Sequence, residues 1–277
     1  MSRALVGECP GCGAQVSFHA GDSVLAICQY CATTCVRAGD SLRNLGKMAD
    51  LFDDHSPIRL QSTGQWNGQG FIVVGRLQYQ YSQGKWNEWR ILFDDGSTAW
   101  LSDDNGSYVI TIDQGTIAAP SFPEIELGSR LPFGDIEYTV TYREQATVIA
   151  GAGELPFIVG SGYEAPIVDL RGPGGELANL DYSDLLGIDD DPANPGSSKP
   201  PPNSSADDGP RLYLGHAVTL ESMKMQGIDQ SLVKQVKIDA FSCPNCGATV
   251  TPQFSSSKTI TCASCASVLD LTKGTGE

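Results

Sequence analysis

Between residues 58 and 112 the chain carries β-branched and aromatic stretches that alternate with polar positions and are cut at short intervals by Gly, Asn and Asp. This texture predicts strands at 71–81, 86–93, 99–101 and 108–112, with turns at 82–85, at Asp94-Asp95-Gly96 and at Asp103-Asp104-Asn105-Gly106. Four short antiparallel strands cannot stay an open ribbon, so they must curl into a small barrel or pack on another sheet. Residues 136–142, 147–149, 157–159 and 166–170 repeat the texture at lower contrast, and 211–214 and 217–220 resume it. The second set either pairs with the first as one larger β unit or forms a related half. Upstream the period changes: Leu42, Leu45, Met48, Ala49 and Phe52 recur at three- and four-residue steps behind Asp40 or Ser41. That spacing predicts a short amphipathic helix, weakened by Gly46.

The ends of the chain carry a different pattern. Cys9, Cys12, Cys28 and Cys31 have the same spacing as Cys243, Cys246, Cys262 and Cys265, and Cys-Pro-Gly-Cys-Gly-Ala-Gln-Val matches Cys-Pro-Asn-Cys-Gly-Ala-Thr-Val. Two residues between paired cysteines let a tight turn aim both sulfurs at one ion, and four soft ligands suit tetrahedral zinc. Gly13 and Gly247 follow the second sulfur of each unit, where a positive φ turns backbone N–H groups toward the thiolates. Val16, Phe18, Val24 and Ala26 alternate with polar residues as a short hairpin between the pairs requires. The expectation is two zinc ribbons holding two structural zinc ions. Four thiolates leave no coordination position for water or substrate, and about thirty residues need the metal to fold. Cys35 has no counterpart in the second ribbon, where Leu269 stands, and reads as a small buried residue; His19 reads as a surface residue.

The resulting plan is mainly β: a small-barrel or sandwich-like central region of antiparallel strands, flanked by two zinc ribbons and one short helix. Its units are an N-terminal ribbon (1–38), a linker helix (39–55), a β-rich domain (56–235) and a C-terminal ribbon (236–277). Residues 189–209, rich in Asp, Pro and Ser, cannot build a core and form a disordered insertion.

Charge narrows the partners. The net charge is -15, no Lys or Arg stands between the cysteines of the first ribbon, and only Lys258 does so in the second. Phosphate binding needs clustered basic residues, so nucleic acid is disfavoured, as is adsorption to an anionic membrane surface. A basic or membrane-associated protein partner suits the chain better. No stretch has the length of a transmembrane span or of a signal peptide, which points to a reducing cytoplasm and to thiolates in preference to disulfides.

The central region resembles a bacterial family known as domain of unknown function 4178. The strings that carry the resemblance are Ser56-Pro57-Ile58, Val74-Gly75-Arg76-Leu77-Gln78-Tyr79, Trp86-Asn87-Glu88-Trp89, Gly96 with Trp100-Leu101, Gly153-Glu154-Leu155-Pro156, Asp169-Leu170-Arg171-Gly172 and Asp181-Tyr182, in that order within 56–235. The resemblance implies zinc-ribbon flanks and an association with membrane-stress systems of the phage-shock type and with polyamine-synthesis-like proteins. It supplies no catalytic residues.

The residues themselves form no recognisable catalytic constellation. His19, His55 and His216 lie outside known motifs, Gly151-Ala152-Gly153 reads as a turn, and nothing places Glu154 beside Asp181 as paired carboxylates. On a strand Trp86 and Glu88 share one face while Asn87 and Trp89 share the other. One tryptophan then fills the core, and Trp86, Glu88 and Trp89 become candidates for a partner-binding patch. The expected function is that of a non-enzymatic zinc-binding adaptor or scaffold. The alternatives are an enzyme or accessory subunit acting on a cationic small molecule, which the acidic middle would attract, and a nucleic-acid-binding ribbon protein.

Overall fold

The computed structural model describes residues 5–38, 41–52, 55–82, 84–160, 162–183, 209–233, 241–250 and 259–270. The insertion expected at 189–209 lies outside them except for Gly209. In chain order the strands are β1 (Leu5–Glu8), β2 (Gln15–Phe18), β3 (Leu25–Ile27), β4 (Thr33–Ala38), β5 (Ser41–Lys47), β6 (Thr63–Trp66), β7 (Gln69–Tyr81), β8 (Gly84–Phe93), β9 (Thr98–Asp104) and β10 (Ser107–Thr116). They continue with β11 (Arg130–Phe133), β12 (Ile136–Leu155), β13 (Tyr163–Arg171), β14 (Leu177–Asp181), β15 (Arg211–Val218), β16 (Phe241–Ser242), β17 (Thr249–Val250), β18 (Thr259–Thr261) and β19 (Val268–Asp270).

Local chemistry sets the hairpins. Asn67-Gly68 and Asn105-Gly106 take positive φ at both positions (48° and 81°, 53° and 92°), the two-residue turn whose twist matches antiparallel strands. They join β6 to β7 and β9 to β10. The two sets of strands then close on each other in the order β7-β8-β9-β10-β15-β14-β13-β12, and β12 returns to β7 to complete an eight-stranded antiparallel barrel.

The closing seam depends on glycine. Gly75 and Gly153 are register partners, and a Cβ on Gly75 would stand 2.0 Å from the Glu154 carbonyl oxygen, one on Gly153 2.2 Å from that of Val74. Only bare backbones approach so closely. Gly151-Ala152-Gly153, expected as a turn, therefore lies inside β12, with Gly153 at φ 67° where the strand passes from β7 to β3. Residues 147–149 belong to the same long strand, and 157–159, expected as a strand, are irregular chain.

The wall is apolar on its outer face. Phe71, Val73, Trp89, Ile91, Leu101 and Ile110 point outward from β7–β10 and are buried beneath Ile58, Met223 and Met225 of the flanking segments. Val140, Val168, Leu170 and Leu180 do the same on β12–β15 under Ile125 and its neighbours. Each side chain so buried contributes on the order of 1.5–3 kcal/mol. The inner face is different. Along β8 the register aligns Glu88 with Leu77 and Ser102, and along β13 Asp169 with Tyr142 and Asn179. Glu88 interacts electrostatically with Asp169, and Tyr79 with Asp181, between strands that are not neighbours, so this mixed polar and aromatic face looks into the barrel.

The predicted helix is a strand. Residues 41–47 form β5, which pairs with β4, and Gly46 sits at φ 100°, a conformation no helix interior accepts. The free edge of β4 offers unpaired N–H and C=O groups, and pairing with it outweighs the weak helical periodicity. Met48 is buried as the apolar spacing implied, whereas Phe52 is exposed.

Candidate metal centres and the barrel interior

Each ribbon presents two knuckles built alike. In the first, Cys9 N–H donates to the Ala14 carbonyl (2.7 Å) and Gly13 N–H to that of Cys9 (2.8 Å); in the second, Cys28 pairs with Thr33 and Ala32 with Cys28 (2.9 Å each). The C-terminal ribbon repeats both, through Cys243, Gly247 and Ala248 and through Cys262, Ala266 and Ser267. The residue after the second cysteine has positive φ every time: Gly13 (77°), Ala32 (56°), Gly247 (73°) and Ala266 (58°). The two glycines are as the spacing predicted, and the two alanines adopt the same strained conformation because the knuckle requires it.

The sulfurs converge. Cys9, Cys12, Cys28 and Cys31 form one group and Cys243, Cys246, Cys262 and Cys265 the other, with all ligand atoms of a group within 4.8 Å of one another. Cys9–Cys31 stand 3.6 Å apart, and Cys12–Cys28, Cys243–Cys265 and Cys246–Cys262 3.7 Å. A tetrahedron with metal–sulfur bonds of about 2.3 Å has edges of about 3.8 Å, so both sets fit a tetrahedral ion of that size. They are too far apart for disulfides, and all nine cysteines are free. Local donors favour a thiolate within each set, while at Cys12 and Cys246 a backbone donor is outweighed by neighbouring sulfurs, which push the thiol up. Burial opposes the charge on Cys9, but the backbone N–H groups of Gly11 and Cys12 help pull its thiol down to about 6. Ser267 does the same for Cys265, also to about 6. Cys35 stands apart from this set. It is 0% exposed, burial pushes its thiol up to about 12, and it lies 3.7 Å from the Cys9 sulfur.

The two ribbons differ in how they are attached. In the second, β16 pairs with β17 and β18 with β19 as separate two-stranded sheets. In the first, β1 pairs with β2, but β3 joins β4 on one side and β12 on the other, so the main sheet runs through the ribbon. The single hairpin expected over 16–26 is thus split between two sheets. Glu154, 4% exposed, secures the joint. Its carboxylate accepts from the backbone N–H of His19 (2.7 Å) and Ala20 (3.1 Å) and from the Ser23 hydroxyl (2.9 Å), and it contacts His19 Nδ1 at 2.5 Å. Arg90, 1% exposed, reaches the same loop at Ser23 Oγ (2.9 Å) and Asp22 Oδ1 (2.5 Å). His19 is therefore half-exposed and occupied by Glu154, outside the metal set.

Glu154 is spent on this joint, while Asp181 lies on β14 and accepts from Ser183 N–H (2.8 Å), so the two do not form a carboxylate pair. Trp86, Glu88 and Trp89 do not share an exposed patch either. Trp89 is 1% exposed on the outer wall with the Arg76 guanidinium 4.7 Å from its ring. Trp86 stacks on Tyr79 (4.6 Å) on the inner face and donates to Glu88 Oε1 (2.9 Å). Enclosure by the barrel pushes the Glu88 carboxyl up to about 8; donors on Trp86 and Ser102 oppose the rise and Asp169 adds to it. Asp169 is raised as well, by the same desolvation, while the Asn179 amide (2.8 Å) holds it in place. The period-two pattern placed these residues on one face. It could not say that the face was the inside of a barrel.

Among the described residues no helix is long and apolar enough to cross a membrane. Residues 59–189 match the model of a family described as a domain of unknown function (DUF4178), a narrower span than the resemblance over 56–235. The match covers every barrel strand except β15. No curated protein and no solved structure matches the chain.

Proposed function

We propose that this chain, a member of the DUF4178 family through residues 59–189, is a zinc-binding adaptor: a β-barrel platform braced by one ribbon and offering the other to a partner. The observation that carries the reading is the pair of closed four-sulfur sets, the sulfurs of each within 4.8 Å of one another, one stitched into the barrel sheet and one on sheets of its own. Zinc fits that donor set because it accepts four thiolates in a tetrahedron, and a site so filled organises chain without chemistry. The partner we propose is a basic or membrane-associated protein, in keeping with the net charge of -15. An association with membrane-stress or polyamine-related proteins rests on the family resemblance alone, and placement in the cytoplasm on the preference for thiolates over disulfides.

Elemental analysis of the reduced protein, combined with affinity capture, tests this. About two zinc ions per chain are expected. Cys243→Ser should remove one ion and the captured partner together while the barrel still melts as in the wild type. A protein without zinc, or turnover of a small substrate with no partner bound, would overturn the reading.

A further inference from the structure

The barrel interior is assigned no role by the ribbons or by the adaptor reading, yet only part of it is built as a core. Side chains that face inward, among them Trp86, Glu88, Asp169, Arg171 and Asn179, each keep part of their surface open to solvent although eight strands close around them. Outward-facing Trp89, Ile91, Val168 and Leu170, by contrast, are fully covered. A structural interior is filled by apolar side chains in close contact. Part of this one is filled that way, by the apolar cluster around Leu77 and Tyr79, while the rest holds carboxyls and water-sized space.

Its donors and acceptors are unevenly matched. Nε of Arg171 is buried and has no hydrogen-bond acceptor among the described residues. Such an orphan is rare in a folded protein and destabilising unless a ligand meets it. Facing it are carboxyls that have donors of their own but, among the described residues, no cation in hydrogen-bond contact: Asp169 is held by Asn179 and feels Arg171 only through its charge, and Glu88 is held by Trp86 and Ser102. Beside Glu88 the stacked Tyr79–Trp86 pair supplies an aromatic wall, the surface over which organic cations are attracted. An unmet donor, carboxyls and aromatic faces in one enclosure together describe a ligand with two ends.

We infer that the barrel interior binds a small organic molecule that carries a protonated amine and, a few bonds away, an oxygen that accepts hydrogen bonds. The amine sits between Glu88 and Asp169 against the Trp86 ring, and the oxygen meets Arg171. Glu88 contributes a second signature. Enclosure keeps its proton on at neutral pH, and an arriving ammonium group displaces that proton to solvent.

The test uses the full zinc-loaded protein and a matched set of probes, 4-aminobutyrate, tyramine, butylamine and butyrate, followed by ligand-observed NMR and calorimetry. The molecules with both ends should bind about tenfold or more tightly than butylamine or butyrate. Their binding heat at neutral pH should vary with the ionisation heat of the buffer. Glu88→Gln should abolish that buffer dependence, and Asp169→Asn should weaken binding about tenfold; both substitutions keep the side chain's size, and cooperative melting of the variants at or above the wild-type temperature verifies the fold. Absence of binding by every probe would overturn the inference. So would butyrate binding as well as 4-aminobutyrate, or affinities that are indifferent to both substitutions. Zinc content serves as the separate readout for the adaptor proposal.

Discussion

Replacing Glu154 by alanine is the sharpest test of how the first ribbon is joined to the barrel. The carboxylate is 4% exposed and meets two backbone N–H groups, one hydroxyl and one imidazole nitrogen, all from residues 19–23. Alanine leaves the donors of His19, Ala20 and Ser23 without their acceptor, and it leaves Arg90, 1% exposed, with Asp22 as its ion-pair partner. An orphaned buried donor costs about 1–3 kcal/mol, and breaking a buried charged network about 3–5 kcal/mol, because water relieves only part of the loss. We therefore expect Glu154→Ala to lower unfolding free energy by about 4 kcal/mol, which for a domain this size is on the order of 10 °C in Tm. Denaturant titration of the zinc-loaded protein measures the first. Hydrogen exchange measures where the loss falls, and residues 19–26 should exchange faster while β8 to β10 keep their protection. Glu154→Gln, which retains one acceptor oxygen, should lose roughly half as much. A loss under about 1 kcal/mol, or an exchange change spread evenly over the barrel, would show that the ribbon is held by something other than this carboxylate.

Three further outcomes follow from the same structure. Glu88 has a folded pKa of about 8 against 4.5 for the free group, so the folded state holds a proton that the unfolded chain has released. Its contribution to stability is fully present below pH 4.5, is lost as pH rises toward 8, and stays lost above it; Glu88→Gln should match the wild type near pH 4.5 and exceed it by about 2–4 kcal/mol at pH 8.5. Urea titrations across that range check this, and a difference that does not change with pH would refute it. Cys12→Ser and Cys246→Ser should each remove one metal ion, but only the first should lower barrel stability, by roughly 2 kcal/mol or more, because β3 pairs with β12 whereas the strands of the second ribbon pair with one another. Equal melting curves for the two variants would contradict that asymmetry. Gly75→Ala should destabilise by more than about 2 kcal/mol, since its Cβ would meet the Glu154 carbonyl at 2.0 Å and push β7 from β12; a soluble variant with wild-type melting would show that the seam can give.

The repeated cysteine spacing was enough to place all eight sulfurs in their two sets, because a knuckle is a local structure whose geometry follows from a few consecutive residues. The same holds for β7 to β10, where alternation and Asn-Gly or Asp-Gly turns act over two to ten residues. Residues 41–47 show the limit. Their helical spacing is real, but a waiting strand edge on β4 outweighs it, and that edge exists only once the ribbon has folded. Residues 136–155 show another: a strand that changes partners midway carries no single period that would announce it.

Sequence alone therefore determined the two four-cysteine ribbons, the mainly β character and the division of β8 into two faces. Tertiary structure decided which face is inside, because ring closure through β12 and β7 is a contact between residues some seventy-five positions apart, allowed by two glycines that meet only in the folded protein. It also decided that ribbons with the same cysteine spacing differ in attachment. The four cysteines of each fix only its local shape, and the pairing of β3 with β12, locked by Glu154, is what makes the first one part of the barrel.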